Sequence, residues 1–207
     1  MTYDKTILSN MAVGHCGIGK YIGDYELENS PEANYCRRYF DQCRDVIYAT
    51  RRWPFASTIV ALADLGVTGT NYDGIWAYRY KMPGNAIRAN FVVNPANRAP
   101  TTSDDKIAFE IAYDVDNEGK VILCDQDEAL LDMNQLIEDP TFWDPAFAEA
   151  HSLYLALRIA PALKVDSKVL QALQQQWFTW NDEAALSAME EGQPDPEGAS
   201  QLQSIRG

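Results

Sequence analysis

Helix-like and strand-like patterns occupy separate parts of this 207-residue chain. Before residue 54 and after residue 139, apolar residues recur every three or four positions, which is the period of an amphipathic helix. Between those positions, β-branched and aromatic residues form short runs separated by Gly, Asn, Asp and Pro clusters. Helices that alternated with strands would predict a parallel sheet. The segregated order therefore predicts the α+β class with antiparallel strands.

The same division predicts the domain organisation. We expect residues 1–53 and 140–192 to form one helical bundle from two helix pairs, and residues 54–139 to form an inserted antiparallel β region. The strand candidates are residues 59–62, 76–80, 86–93, 107–115 and 120–124. Residues 193–207 are polar and contain two prolines, so they are expected to form an extended C-terminal tail that orders on binding.

The best-defined element is a helix that begins after Ser30. Its hydroxyl is a capping group, Pro31 suits the first helical position, and Glu32 complements the positive end of the helix dipole. Pro54 restricts Trp53 to extended backbone, which ends the helix. The buried face is expected to carry Ala33, Cys36, Tyr39, Phe40, Cys43, Val46 and Ile47, and the exposed face Arg37, Arg38, Asp41, Gln42, Arg44 and Asp45.

Three further helices complete the predicted bundle. A short one is expected around residues 7–13, and two others begin at Asp144-Pro145 and near Asp166-Ser167, where an acidic residue precedes the first turn. The last of these is expected to end before Gly192. Six rigid side chains are expected to be the structural anchors of the fold: Trp53, Pro54, Phe55, Trp143, Trp177 and Trp180.

The net charge of −13 is concentrated in the middle of the chain. Residues 101–139 carry 12 acidic and 2 basic residues, whereas residues 1–100 carry 9 acidic and 11 basic residues. This distribution argues against a basic surface that grips nucleic-acid phosphates. No apolar run approaches the roughly 20 residues of a bilayer span, and the first residues lack signal-peptide regions. We therefore expect synthesis in the cytoplasm and no membrane partner.

Metal and catalytic motifs are weak. The four cysteines have unrelated spacings and no CxxC pair, so we expect buried, reduced thiols and no zinc site. The two histidines, His15 and His151, lie in no recognisable triad or nucleophile-elbow context. The sequence therefore predicts no catalytic residue, no metal ligand and no cofactor.

Two segments approximate ligand-binding loops. Between Gly14 and Lys20 the sequence is close to a phosphate-binding loop, but a helical pattern precedes it and Tyr21 replaces the required hydroxyl residue. A glycine-rich turn is favoured, and a nucleotide-binding enzyme is the alternative. Between Asp114 and Asp125 the oxygen ligands are spaced much as in a calcium loop. The strand-like flanks favour a hairpin, with a calcium-stabilised interaction module as the alternative.

Short motifs in a defined order run through most of the chain. They are the helix over residues 7–14, Ser30-Pro31-Glu32-Ala33, Cys36-Arg37-Arg38-Tyr39-Phe40-Asp41-Gln42 with Arg44-Asp45, Trp53-Pro54-Phe55-Ala56, Trp76-Ala77-Tyr78-Arg79-Tyr80 with Met82-Pro83, Asp139-Pro140, Trp143-Asp144-Pro145-Ala146-Phe147, Ile159-Ala160-Pro161-Ala162-Leu163 and Gly192-Gln193-Pro194-Asp195-Pro196. In this order they resemble the head-to-tail adaptors of tailed bacteriophages, called tail tubular protein A in short-tailed phages.

The resemblance implies a structural virion protein and no enzyme. It implies a four-helix bundle with an inserted β domain, assembled into a homo-oligomeric ring, usually of twelve subunits, between the portal protein and the tail nozzle or tail-tube protein. Genomic DNA passes through such a ring without sequence-specific binding. The implied locations are the host cytoplasm during assembly and then the virion. The tail residues implied to dock into the portal are Gln193, Pro194, Asp195, Pro196, Leu202 and Ile205.

Two surfaces follow as hypotheses for a ring of this kind. Neighbouring subunits are expected to meet at the charged face made of Arg37, Arg38, Asp41, Arg44 and Asp45, because alternating charge can set the register of a contact. An ordinary solvated helix face is the alternative. The acidic block of residues 101–139 is expected to line the channel, where it would repel the passing DNA.

We predict that the chain does not bind nucleotides, because the Gly14 to Lys20 segment lacks the strand and the hydroxyl residue that a phosphate-binding loop needs. Calorimetric titration with ATP and Mg²⁺ should give no saturable heat. Saturable heat that Lys20→Ala abolishes would instead establish the enzyme alternative.

Overall fold

The computed structural model describes the backbone of residues 2–96 and 106–190 and the side chains of residues 2–96 and 107–181. Four α-helices and eight β-strands lie within these ranges, and the strands form two antiparallel sheets. The predicted α+β class is therefore confirmed. Within the same ranges, no helix is long and apolar enough to cross a membrane. The predicted tail, residues 193–207, lies outside the described residues.

The secondary structure elements are given in chain order. The helices are α1 (Lys5–His15), α2 (Pro31–Thr50), α3 (Pro145–Ile159) and α4 (Ser167–Glu190), with short 3-10 turns at Pro54–Ala56 and Pro140–Phe142. The strands are β1 (Ser57–Ala61), β2 (Ala63–Asp64), β3 (Tyr78–Lys81), β4 (Ala86–Val93), β5 (Lys106–Ile107), β6 (Phe109–Asp114), β7 (Gly119–Cys124) and β8 (Leu130–Gln135).

The described chain forms two compact units. The helical unit contains residues 2–57, Asn85–Arg88 and Asn134–Ala185, and the strand unit contains Thr58–Gly84 and Ala89–Met133. In the helical unit, α3 packs against both α1 and α2. The helix α4 joins this core through Leu173, which is buried, and through the half-buried Trp177 and Trp180.

Local capping signals fix the helix starts. The Ser30 hydroxyl accepts a hydrogen bond from the Ala33 N–H at 3.3 Å, and the Asp144 carboxylate accepts one from the Phe147 N–H at 2.7 Å. Each bond satisfies a backbone donor that the first turn of a helix leaves without a partner. The predicted starts of α2 and α3 are confirmed.

The buried face of α2 differs from the prediction at two positions. Val46 was expected to be buried but is 43% exposed, whereas Arg44 was expected on the exposed face and is only 7% exposed. The buried stripe follows Cys36, Phe40, Cys43 and Ile47 and widens toward Arg44 and Tyr48. Because Tyr48 packs its ring on Phe147 at 4.4 Å, the stripe widens on that side and leaves Val46 outside it.

Asn134 closes the C-terminal end of α2 from a distant part of the chain. Its side-chain amide donates to the carbonyls of Tyr48, at 2.8 Å, and of Arg51, and its oxygen accepts from the Trp53 N–H at 3.1 Å. Asn134 is completely buried. A helix leaves its last carbonyls without intrahelical donors, so this one side chain satisfies groups that burial would otherwise make costly.

Two other side chains bind the remaining carbonyls of the α2 terminus. Arg88 of β4 donates to the carbonyls of Ala49, at 2.6 Å, and Thr50, at 3.2 Å. The Trp53 indole N–H donates to the Ile47 carbonyl at 2.9 Å. The guanidinium also places a positive charge at the negative end of the helix dipole, which is a favourable arrangement.

An aromatic cluster fills the core of the helical unit. Phe147 is completely buried, and its ring lies within 4.4 to 5.2 Å of the rings of Tyr48, Trp53, Phe55 and Trp143. Trp180 stacks on Trp53 at 6.1 Å and on Trp177 at 5.6 Å. Of the six predicted anchors, all lie at this cluster or beside it, although Pro54 itself is exposed.

The two sheets of the strand unit each have four strands, in the orders β1-β8-β4-β5 and β2-β3-β7-β6. The predicted strand over residues 107–115 divides at Ala108, so that β5 joins one sheet and β6 the other. The strands β2 and β8 were not predicted. Residues Leu130–Gln135 contain no β-branched or aromatic residue and include Asp132 and Asn134, which are poor strand formers, but β8 lies inside its sheet and is buried over 130–134.

We predict that Asn134→Ala lowers the free energy of unfolding by about 3 kcal/mol, because it leaves two carbonyls and one N–H buried without their partner. Urea denaturation measures the difference. The matched control is Asn34→Ala, an exposed asparagine on the same helix, which should cost less than about 1 kcal/mol. Equal losses in the two variants would contradict the role given to Asn134.

Candidate functional site

The predicted subunit-contact residues lie along α2, and four of the five have charged or hydrogen-bond partners inside the molecule. Arg44 is held between the carboxylates of Asp41 and Asp45, with N···O distances of 2.9 Å to each. Arg37 donates to the carbonyls of Tyr25 and Glu28, which fixes the loop that precedes α2. Their charges therefore serve local structure.

The exposed part of this face is smaller than predicted. Arg38, Asp41 and Asp45 are exposed, while Arg44 is buried. The guanidinium of Arg38 lies 5.7 Å from the centre of the Tyr39 ring. Whether these exposed charges meet a neighbouring subunit stays a prediction.

The segment from Gly14 to Lys20 follows a helix and not a strand. Cys16 ends α1, and Gly17 adopts a left-handed backbone with φ of 69°, which is typical of a helix C-terminus. The Lys20 ammonium pairs with the Glu32 carboxylate at 3.0 Å, in the first turn of α2. The geometry is that of a helix end and a polar loop, and it differs from the strand, loop and helix of a phosphate-binding site.

The segment after Asp114 forms a hairpin turn between β6 and β7. The Asp114 carboxylate accepts from Arg79 at 2.8 Å and from Asn117 at 2.7 Å, so its oxygens are used within the strand unit. The hydrogen bond from Asn117 and the Arg79 charge lower the pKa of Asp114. The Asp125 carboxylate accepts from the Ala77 N–H instead of facing Asp114. Among the described residues, no group of three or more His, Cys, Asp or Glu side chains is arranged to hold a metal ion.

The acidic block is not a uniform charged surface. Asp132 is 1% exposed and accepts from the Asn90 side chain at 2.7 Å, and Asp114 is 4% exposed. The exposed acids of the described part of the block are Glu110, Asp116, Glu118, Asp125, Asp127, Glu128, Glu138 and Asp139. Burial of two acids is stabilised by specific partners, as unpaired buried carboxylates would be costly.

An open groove of about 520 Å³ lies in the helical unit, between α4 and residues of α1 and α3. Most of its polar groups are uncharged amides and hydroxyls. Its lining residues are His15, Glu149, Leu153, Ala172, Gln175, Gln176, Thr179 and Trp180. The volume lies in the range of small-ligand sites, so its chemistry needs to be considered.

His15, Glu149 and Ser152 meet at one side of this groove. The His15 Nε2 atom lies 3.3 Å from the Glu149 carboxylate and 3.3 Å from the Ser152 hydroxyl. A nucleophile, base and acid relay requires the serine and the carboxylate to contact opposite ring nitrogens. Here both contact the same nitrogen, and Ser152 is completely buried and donates to the Glu149 carbonyl at 2.9 Å. This trio does not have the geometry of a hydrolytic triad.

Sequence reasoning missed this trio and the groove beside it. Glu149 and Ser152 are three residues apart and so share one face of α3, but nothing local connects them to His15 at the end of α1. Their meeting depends on how α1 packs on α3, which no pattern in the sequence specifies.

Comparisons with known proteins do not assign the chain to a group. No protein-family model matches the sequence. No curated protein matches it as a relative either. Any assignment of function therefore depends on the residues and geometry described above.

The four thiols are buried and unreactive. Cys16, Cys36, Cys43 and Cys124 form no disulfide, which confirms the prediction of buried reduced cysteines. Burial raises the pKa of Cys16 to about 11 and of Cys36 and Cys43 to about 12. Since the thiolate is the reactive form, none of these residues is prepared for nucleophilic or metal chemistry near neutral pH.

His151 is a core residue. Its ring lies 4.4 Å from Phe40 and 5.0 Å from Trp143, and its Nε2 atom lies 3.0 Å from the Phe40 carbonyl. Because a carbonyl only accepts, the Nε2 atom is the donor in this contact. Burial lowers the pKa of His151 to about 4.

We predict that His151 makes stability depend on pH between 6.5 and 4. The pKa of His151 is lower in the folded than in the unfolded chain, so its contribution is complete above pH 6.5 and is lost as the pH falls toward 4. The loss should reach about 3 kcal/mol, measured by urea denaturation across this range.

A variant that does not titrate at this position separates the effect of His151 on stability from the effects of other titrating groups. His151→Gln keeps a donor for the Phe40 carbonyl but does not titrate, so its stability should vary less over this pH range. A native slope in His151→Gln would overturn the assignment.

Proposed function

We propose that this chain is a structural subunit of a phage head-to-tail adaptor ring, as the resemblance implies. The observation that carries the proposal is the order of the two units along the chain: the helical unit takes residues 2–57 and Asn134–Ala185, and most of the strand unit, Thr58–Gly84 and Ala89–Met133, lies between them in the sequence. This order is what a bundle with an inserted β domain requires. In the proposed ring, the chain has no enzymatic role and no cofactor.

We infer the finer architecture in the same way. In the proposal, α1, α2, α3 and α4 make a four-helix bundle. Contacts of α3 with α1 and α2 support this, as does the position of Leu173, Trp177 and Trp180 of α4 against the common core. A rigid bundle suits a ring subunit because its contacts must repeat around a closed symmetry without distortion.

The exposed surface of α4 has the composition of a contact with a neighbouring subunit. From Val169 to Asn181 it contains no charged residue, although much of this surface is exposed and Phe178 is 64% exposed. Protein interfaces have few charges in their centre and are enriched in aromatic residues. We propose that this face and the adjoining groove meet the next subunit, together with the exposed charges Arg38, Asp41 and Asp45 on α2.

In the proposed virion the ring joins the portal to the tail nozzle or tail tube and surrounds the passing DNA. The exposed acids of residues 106–139 would repel phosphates, which suits a conduit because attractive contacts would retard a moving duplex. Residues 193–207, outside the described part of the chain, would dock into the portal.

The proposal predicts that the genome that carries this chain also encodes a portal protein, and assembly of the chain with that protein is the test. Native mass spectrometry of the mixture should give one adaptor per portal subunit, twelve in a twelve-fold ring. A chain that binds neither its portal nor itself under assembly conditions would contradict the proposed function.

We predict that deletion of residues 193–207 prevents portal binding but leaves the fold intact, because this polar segment has little apolar surface to contribute to a core. Thermal unfolding of the truncated protein should match that of the full chain within about 2 °C, as expected for a segment outside the cooperative unit. Replacing the segment with a glycine-serine linker of equal length is the control for length alone. Portal binding by the truncated protein would refute the assigned role of the tail.

A further inference from the structure

The strand β6 is an open edge of its sheet. In the order β2-β3-β7-β6, the described part of the chain pairs β6 with β7 on one side only. Its six residues pair with β7 without a bulge, from Phe109 opposite Cys124 to Asp114 opposite Gly119. The opposite edge, β2, has only two residues. A long, regular edge strand presents a row of backbone donors and acceptors to which another strand can add.

The backbone of every second residue points away from β7. The Tyr113 carbonyl accepts from the Tyr72 hydroxyl at 3.3 Å, so it faces the outer side of the strand. In an antiparallel ladder the N–H and C=O groups of one residue point to the same side, and successive residues alternate. The outer edge is therefore formed by Phe109, Ile111 and Tyr113.

The side chains of these same residues make an apolar stripe. Ile111 is 44% exposed and Tyr113 is 66% exposed, although Ile122, directly opposite Ile111 on β7, is completely buried. Val115 extends the stripe into the hairpin turn and is 77% exposed. The strand contains no proline and no lysine, which are residues that commonly protect an edge. The stripe therefore continues a buried face to the outside of the molecule.

The surroundings of the stripe are mostly acidic. Glu110 projects from the other face of β6 and is exposed, and Asp116 and Glu118 are exposed at the hairpin turn. The basic side chain nearby is Lys120, opposite Tyr113 on β7. Asp114 does not add to this surface, because it is buried against Arg79. A strand placed beside β6 would meet apolar groups on one face and the Glu110 carboxylate on the other.

We propose that the outer edge of β6 is a docking site for an extended segment of another protein, with apolar side chains at alternate positions and basic side chains between them. The backbone of the segment would pair with Phe109 and Ile111, since the Tyr113 carbonyl already accepts from the Tyr72 hydroxyl. Its apolar side chains would pack on the stripe, and a lysine or arginine would lie opposite Glu110. Cross-strand pairs of these kinds stabilise sheets.

The negative charge of the chain favours a basic segment over a second copy of the chain as the occupant of the β6 edge. An antiparallel pair of β6 strands centred on Ile111 would bring together two molecules that each carry a net charge of −13. A basic segment is attracted to the same surface. The two occupants respond to salt in opposite directions, because salt screens attraction in the first case and repulsion in the second. The proposed site goes beyond the adaptor ring and does not depend on it.

The test uses the full chain and a fluorescein-labelled peptide of seven residues in which valine alternates with lysine. Fluorescence anisotropy should show saturable binding that weakens as salt rises from about 50 mM to about 500 mM. A peptide of the same residues with the lysines in one block should bind at least about tenfold more weakly, since it cannot present one apolar face to the stripe.

Two variants locate the site. Ile111→Pro removes an outward N–H without removing a bond to β7, and it should weaken binding by about tenfold or more. Glu110→Lys should weaken binding of the lysine peptide and reduce its salt dependence, whereas Glu26→Lys, an exposed glutamate of the helical unit, should have a much smaller effect on both. If Ile111→Pro does not fold, the peptide affinities of Glu110→Lys and Ile111→Thr test the site in its place.

Several results would overturn the proposal. They are the absence of saturable binding, equal affinity for the block peptide, or native affinity in folded Ile111→Pro. A further contradicting result would come from sedimentation of the chain alone. Self-association that strengthens with salt and disappears in Ile111→Pro would show that a second copy of the chain occupies the β6 edge.

Discussion

The fold of the helical unit depends on how the C-terminal end of α2 is closed. A buried helix end has carbonyl groups with no donor in the helix, and leaving them unpaired is costly. Here the donors are the side chains of Asn134, Arg88 and Trp53. The same contacts set the turn at Trp53, and that turn brings its ring to Phe147 and Trp180. The contacts that end α2 therefore also position the aromatic core.

Local features of the sequence predicted the helices better than the sheets. Ser30 and Asp144 are followed within three residues by the groups they cap, so the starts of α2 and α3 could be located. The strand β8 could not, because its place inside a sheet comes from its neighbours and not from its own residues. The burial of Arg44 was missed for a similar reason, since its acidic partners were read only as an exposed face.

The charged and polar groups that first suggest chemistry turn out to have structural partners. Lys20 pairs with Glu32, Asp114 with Arg79, and His151 with the Phe40 carbonyl. None of these arrangements was visible in the motifs, because each joins residues from different elements. Beside the exposed charges, two surfaces of another kind are present: an uncharged helix face on α4 and an apolar strand edge at β6. Both are surfaces suited to protein contacts.

The closure of α2 also has a consequence for synthesis. The carbonyls of Tyr48 and Arg51 accept from the side-chain amide of Asn134, which lies 86 and 83 residues further along the chain. During translation α2 leaves the ribosome long before Asn134 does, so these two carbonyls lack this donor while the strands are still being made. Contacts over such sequence distances slow folding. The helical unit can therefore complete its core only after most of the chain has emerged.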